Sequence, residues 1–191
     1  NLPTGAQIDG SLDGVVKLFN DSNAVHLVVI GHRGNIGWQS KRLSIDKPFL
    51  FRYSPSLLSI SNLEFSGIGE TKLQFSGTQT DKVSQIITSG NIDAVYLLGI
   101  VPGLNTAEGA IDFDFVQGPH RNLANIHLDD VVVEGDWFPH PIDISRATLT
   151  AEPNKLSFNQ FDAIIGGGEV VLDGHLYSCL LYTSPSPRDP M

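Results

Sequence analysis

From Ile8 to Leu176 the dominant pattern along the chain is alternation of apolar and polar residues. Ile111-Asp-Phe113-Asp-Phe115 has a strict period of two, as do Leu63-Glu-Phe65, Leu73-Gln-Phe75, Phe49-Leu-Phe51-Arg-Tyr53, Ile126-His-Leu128 and Ile142-Asp-Ile144. Successive side chains on a strand point to opposite faces, so each segment reads as a strand with one apolar and one polar face. Turn signals fall between them: Asp9-Gly10, Asp13-Gly14, Gly34-Asn35, Gly67, Ser76-Gly77, Gly118-Pro119, Glu134-Gly135, Pro153-Asn154 and Asp173-Gly174. Short strands at this spacing predict an all-β protein, an elongated and curved, mostly antiparallel sheet. The segment Asp81 to Ile87 is the one plausible helix, at most two turns long.

The chain also resembles itself. Trp38 is matched by Trp137, and Leu43-Ser-Ile45 by Ile142-Asp-Ile144, both 99 residues later. Leu58-Ser-Ile-Ser-Asn-Leu-Glu64 is answered by Leu156-Ser-Phe-Asn-Gln-Phe-Asp162 at 98 residues, and Gly69-Glu70 by Gly168-Glu169 at 99. The order is kept, which predicts two tandem β repeats of about 98 residues. The first covers residues 1–77 and the second 106–176, with a connecting segment at 78–105 and a tail from 177.

Composition narrows the function. A length of 191 residues suits one domain or a section of a larger repetitive one. Twelve basic against 21 acidic residues give a net charge of −9, with no block of Lys or Arg. That argues against nucleic acid and against an electrostatic membrane anchor. The single cysteine, Cys179, excludes an internal disulfide. The longest apolar run, Val95 to Leu104, is interrupted by Gly99 and Pro102 and is about half the roughly 20 residues a membrane helix needs. The opening at Asn1 without a charged-then-apolar leader suggests a piece of a longer chain. The stretch from Cys179 onward, with Pro185, Pro187 and Pro190, cannot hold a regular element and resembles translated sequencing-adapter read-through.

Candidate chemistry is sparse. Val28-Val-Ile-Gly31-His-Arg-Gly34-Asn-Ile-Gly37 is a strand running into spaced glycines, as in nucleotide-dependent oxidoreductases. No crossover helix or second buried strand with a terminal acid follows, so it reads as a Gly-rich hairpin in which Gly34 or Gly37 takes a positive φ. Gly166-Gly-Gly168 reads as a bulge or tight turn before a strand at Glu169 to Leu172. His26, His32, His120, His127, His140 and His175 never pair at metal-ligand spacing, and Asp129 and Asp130 beside His127 read as solvated sheet surface. No nucleophile elbow or paired-carboxylate motif occurs, so no enzyme, metal or cofactor is expected. The tryptophans read as a packing residue repeated in each copy.

The second copy carries a resemblance. Leu97-Leu-Gly-Ile-Val-Pro-Gly103, Ala107-Glu-Gly-Ala-Ile-Asp-Phe113, Phe138-Pro-His-Pro-Ile142, Leu156-Ser-Phe158 and Ile165-Gly-Gly-Gly-Glu-Val-Val-Leu-Asp-Gly174 together resemble the carboxy-terminal region of the TamB family, within the AsmA-like group. The resemblance implies a taco-like β-groove in the periplasm, in a parent anchored in the inner membrane of a Gram-negative bacterium. It implies conduction of phospholipid acyl chains toward the outer membrane and association with an outer-membrane β-barrel assembly protein. Leu73, Phe75, Ile111, Phe113, Phe115, Ile142, Ile144, Leu149, Val170 and Leu172 are then the candidate groove residues on one face, with Asp112 and Asp114 on the other. The alternative is a β-sandwich or solenoid module for adhesion or assembly. A nucleotide-dependent oxidoreductase is a remote third.

Overall fold

Alternating segments fold where their neighbours in sequence can supply the other half of each ladder. The computed structural model describes residues 8–21, 24–38, 41–98, 100–119 and 121–177. They form twelve strands: β1 (Ile8–Asp21), β2 (Ala24–Trp38), β3 (Lys41–Ile45), β4 (Phe49–Ser54), β5 (Leu57–Ser66), β6 (Lys72–Thr80), β7 (Ser84–Asp93), β8 (Leu104–Gln117), β9 (Asn122–Gly135), β10 (Ile142–Glu152), β11 (Lys155–Ile165) and β12 (Gly168–Tyr177). All belong to one sheet, every strand pair is antiparallel, and β1 and β12 are its two edges. β3 and β4 share one position between β2 and β5, separated by Asp46-Lys47-Pro48, where Pro48 lacks a ladder donor. The sheet is therefore eleven positions wide, about 48 Å at the usual strand spacing. The tail from Cys179, together with Gly99 and His120, lies outside the described residues.

Three expectations are corrected. Asp81 to Ile87 is not a helix: β7 starts at Ser84, and Thr80 closes the turn before it, its Oγ1 accepting from the Val83 N–H at 2.9 Å. β7 finds a ladder on both sides, with β6 and with β8, and that outweighs any local helical preference. The only helical element among the described residues is a 3₁₀ turn, Ala94–Leu97.

Several glycines read as turns instead lie inside strands: Gly10 and Gly14 in β1, Gly34 in β2, Gly77 in β6 and Gly174 in β12. The spaced glycines of β2 are likewise not a hairpin turn, and neither Gly34 nor Gly37 has a positive φ. Their role is space. A Cβ at Gly31 would lie 2.0 Å from the Phe49 ring, and one at Gly14 would lie 2.4 Å from the Ile30 carbonyl oxygen. By contrast, Gly166-Gly167 is a tight two-residue hairpin turn between β11 and β12, with φ of 58° and 83°, as a type I′ turn requires.

Bulges interrupt the ladders at spaced intervals. Between Ile60 and Leu63 the register shift is taken up beside Asn62, with φ of 58°. Between Phe158 and Phe161 it is taken up beside Gln160, with φ of 53°, which lies 98 residues further along the chain. His32 is the extra residue in β2, and Asp130, at the same distance, is the extra one in β9 opposite Gly109.

Gly109 has φ of 105°, and a Cβ there would lie 2.3 Å from the Asp130 carbonyl oxygen and 2.8 Å from the Val131 Cα. Both obstacles are backbone. Gly109→Ala is therefore expected to cost more than about 2 kcal/mol in thermal or urea unfolding. Gly168→Ala, whose Cβ meets nothing nearer than 3.5 Å, serves as the control and should change stability by less than about 0.5 kcal/mol.

Candidate functional site

Residues opposite one another in an antiparallel ladder share a face, so the registers sort every strand residue. Leu73 lies opposite Gly90, which lies opposite Phe113, then Ile126, Leu149 and Phe158. Phe75, Thr88 and Phe115 form a parallel row, as do Ile92, Ile111, Leu128 and Ala147. Val131, Ile144, Ala163 and Val170 form a fourth, while Ile142 faces Ile165 and Leu172 faces Phe161. All ten candidate groove residues therefore stand on one face. Asp112 and Asp114, opposite Asn91 and Ser89, stand on the other, and Asn91 Nδ2 donates to Asp112 Oδ1 at 2.9 Å.

On that shared face the ten are not equivalent. One buried cluster is built on Ile45, Phe49, Phe65 and Leu73, with Phe75 and Phe113 packed against it. Phe65 and Phe75 meet edge to face at 5.7 Å. The other is built on Ala94, Ala107, Ile111, Val131, Ile144, Ala147 and Ala163, with Ile142 and Leu149 at its margin. Ile92 touches both clusters, so the apolar surface is continuous from β3 to β11. Gly90, between Leu73 and Phe113 in the ladder, has no room for a side chain, since a Cβ there would meet the Lys72 carbonyl oxygen and the Leu73 Cα. Phe115 and Val170 are half-buried, and Leu172 is 48% exposed near the β12 edge.

The sequence reading missed what closes one end of this face. Asp93 caps the 3₁₀ turn, accepting from the Val95 N–H at 2.9 Å, and its own N–H donates to the buried Thr71 hydroxyl. The buried Tyr96 hydroxyl accepts from the Ile68 N–H at 2.9 Å and donates to the Arg42 carbonyl at 3.0 Å. Lys41 Nζ donates to the Leu98 carbonyl at 2.8 Å, and burial holds its pKa below the usual lysine range. The turn thus ties β3, the β5–β6 turn and β7 together at one end. Beside it lies a partly open apolar pocket of about 180 Å³ lined by Ile36, Lys41, Leu43, Ile92, Tyr96, Leu98 and Ile100. The signal was present in the sequence: Ala94-Val-Tyr-Leu-Leu98 follows an Asp and does not alternate.

Tyr96→Phe keeps the ring and removes both hydrogen bonds, leaving the Ile68 N–H and the Arg42 carbonyl without this partner. A loss of about 1–3 kcal/mol in urea unfolding is expected. A change under about 0.5 kcal/mol would mean that the hydroxyl does not fasten this end.

The chemistry available on the apolar face is burial. Among the described residues no group of three His, Cys, Asp or Glu side chains is placed to hold a metal ion. His127 Nδ1 lies 3.1 Å from the Thr148 hydroxyl on the polar face, and Trp137, half exposed, lies over Gly103 and Gly135 in the turn after β9. A cleft of about 490 Å³ is lined by the polar Lys47, Asn62, Glu64, Gln74, Ser76 and Ser89 together with Pro48, Leu63, Phe75 and Ile87, and Lys47 pairs with Glu64 there at 2.8 Å. No helix among the described residues is long and apolar enough to cross a membrane. No protein family, no curated protein and no solved structure was found to match this chain.

Proposed function

We propose that the apolar face is one wall of an open trough that carries phospholipid acyl chains, in a non-enzymatic, TamB-like protein of the periplasm. The observation that carries this reading is a continuous apolar face running from β3 to β11 in a single sheet. Among the described residues no second sheet lies over it. Leu73, Ile111, Val131 and Ile144 are buried without any ligand and form the floor, so an acyl chain would lie against Phe113, Phe115 and Val170, which are half-buried, and Leu172, which is exposed, gaining roughly 0.8 kcal/mol per buried CH₂ without directional contacts. Such transport asks for no catalytic group. Its acceptor would be the outer membrane, with a β-barrel assembly protein as the partner there. The bulges spaced 98 residues apart support reading the sheet as two copies of one unit, each extending the trough.

A second reading, an assembly module without lipid, is favoured by the exposed apolar residues along both sheet edges, such as Val16 and Leu18 on β1 and Val171 and Leu176 on β12. Mass spectrometry of lipids that co-purify with the chain separates the two. Phospholipid recovered in near-stoichiometric amount is expected. A chain that purifies free of lipid, and takes none from vesicles, would end the conduit reading.

A further inference from the structure

The geometry points to a binding site for a single-chain carboxylate amphiphile at one end of the apolar face. The Lys41 ammonium holds the carboxylate, and the pocket beside the 3₁₀ turn takes the start of the hydrocarbon tail. The proposal concerns one pocket and a free carboxylate, so it stands or falls independently of phospholipid conduction along the rest of the face. Its starting point is a charge on an otherwise apolar surface. Lys41, Leu43 and Ile45 share one side of β3, and Ile45 belongs to a buried cluster of the apolar face. Of the Lys, Arg, Asp and Glu residues that the ladders pair, Lys41 is the only one on that face. A cation set into apolar surroundings is costly unless something answers its charge.

Among the described residues no carboxylate answers it, the ion pairs there being Arg42 with Asp9 and Lys47 with Glu64. Lys41 Nζ spends one N–H on the Leu98 carbonyl, at 2.8 Å, which leaves two of its three donors. Burial lowers its pKa, the mark of an ammonium short of solvation. The other polar side-chain group in the lining, the Tyr96 hydroxyl, has its proton committed to the Arg42 carbonyl. The remaining walls are the side chains of Ile36, Leu43, Ile92, Leu98 and Ile100. Two donors on one positive charge suit a carboxylate, which is compact, singly charged and acceptor-only. A glycerophospholipid headgroup would set ester and phosphate oxygens against walls that offer no further donor, and each polar atom buried unpaired is a penalty. The tail leaves along Ile92, which touches both apolar clusters, so the pocket continues onto the open face.

The test uses the full 191-residue chain in calorimetric titration with decanoate, and with decanol as the uncharged probe of the same length. Decanoate should bind about tenfold tighter or more, because tail burial is common to both probes and the Lys41 charge acts only on the anion. Bound decanoate should also protect Lys41 from reductive methylation, read by peptide mass spectrometry, while Lys72 on the opposite face stays reactive. Lys41→Met should weaken decanoate about tenfold or more and leave decanol unchanged, the second result verifying that the pocket is intact. Lys41→Arg should keep most of the affinity, and Lys72→Met all of it. Equal methylation of Lys41 with and without saturating decanoate overturns the proposal, and that readout needs no variant to fold. So does a decanoate affinity that ignores Lys41→Met or fails to exceed that of decanol. Protection of Lys41 by short-chain phosphatidylglycerol as complete as that by decanoate would assign the cation to a phosphate headgroup and overturn the carboxylate.

Discussion

Val131→Asp is expected to prevent folding of the sheet altogether. Val131 is 2% exposed and stands on the apolar face between Ala107, Ile111 and Ile144, beside the bulge at Asp130. An ionised carboxylate placed there has no charged partner within the cluster, and an unpaired buried charge costs several kcal/mol. Whole domains have only about 5–15 kcal/mol in hand, so loss of most or all folded protein should follow. The measurement is far-ultraviolet circular dichroism with thermal melting, and a cooperative transition near that of the unmodified chain would contradict the buried placement. Val131→Ala, which leaves a cavity but no charge, should cost about 1–3 kcal/mol and retain the fold.

Phe113→Asp should behave differently, with the larger effect on ligand rather than on fold. Phe113 is only half-buried and is flanked by Gly90 on one side and Ile126 on the other, so a carboxylate there can reach solvent when the trough is empty. When acyl chains lie along the face, the same carboxylate sits among CH₂ groups at a cost of several kcal/mol. With a photoreactive residue in place of Phe115, two positions along on the same face, the unmodified chain should yield phospholipid adducts from vesicles. Phe113→Asp should reduce those adducts about tenfold or more, the equivalent of about 1.4 kcal/mol or above. Adducts unchanged by the substitution, or a probe that never meets lipid, would make the face an ordinary packing surface.

Much of this architecture was legible because a period of two is a strong signal wherever one face is buried. Ile111-Asp-Phe113-Asp-Phe115 reads directly as one face of β8, and the registers carry that face across the sheet. What failed was punctuation. Gly34-Asn35 and Asp13-Gly14 carry turn chemistry, yet β1 and β2 run straight through them as partners around the His32 bulge. Local composition cannot tell a turn glycine from one that makes room for a neighbouring backbone or a ring, as Gly31 does for Phe49. The helix expected at Asp81 to Ile87 failed for a related reason: β6 and β8 lie on either side of β7, and nothing within those seven residues records that. The fastening role of Tyr96 depends on Arg42 and Ile68, 54 and 28 residues away, a relation that no local pattern encodes.

The consecutive order of the strands has a consequence for how this molecule reaches its final form. Each main ladder joins elements next to one another along the chain, the shared position of β3 and β4 apart, so few contacts wait for a remote segment to arrive. Loop-closure entropy is then met in small instalments, each by one hairpin, and rates rise as contacts become more local. A chain delivered one end first can therefore add strands one by one to a growing template, each new strand covering the edge left by the last. The apolar surface would widen in step with delivery, without an assembled remainder against which to close.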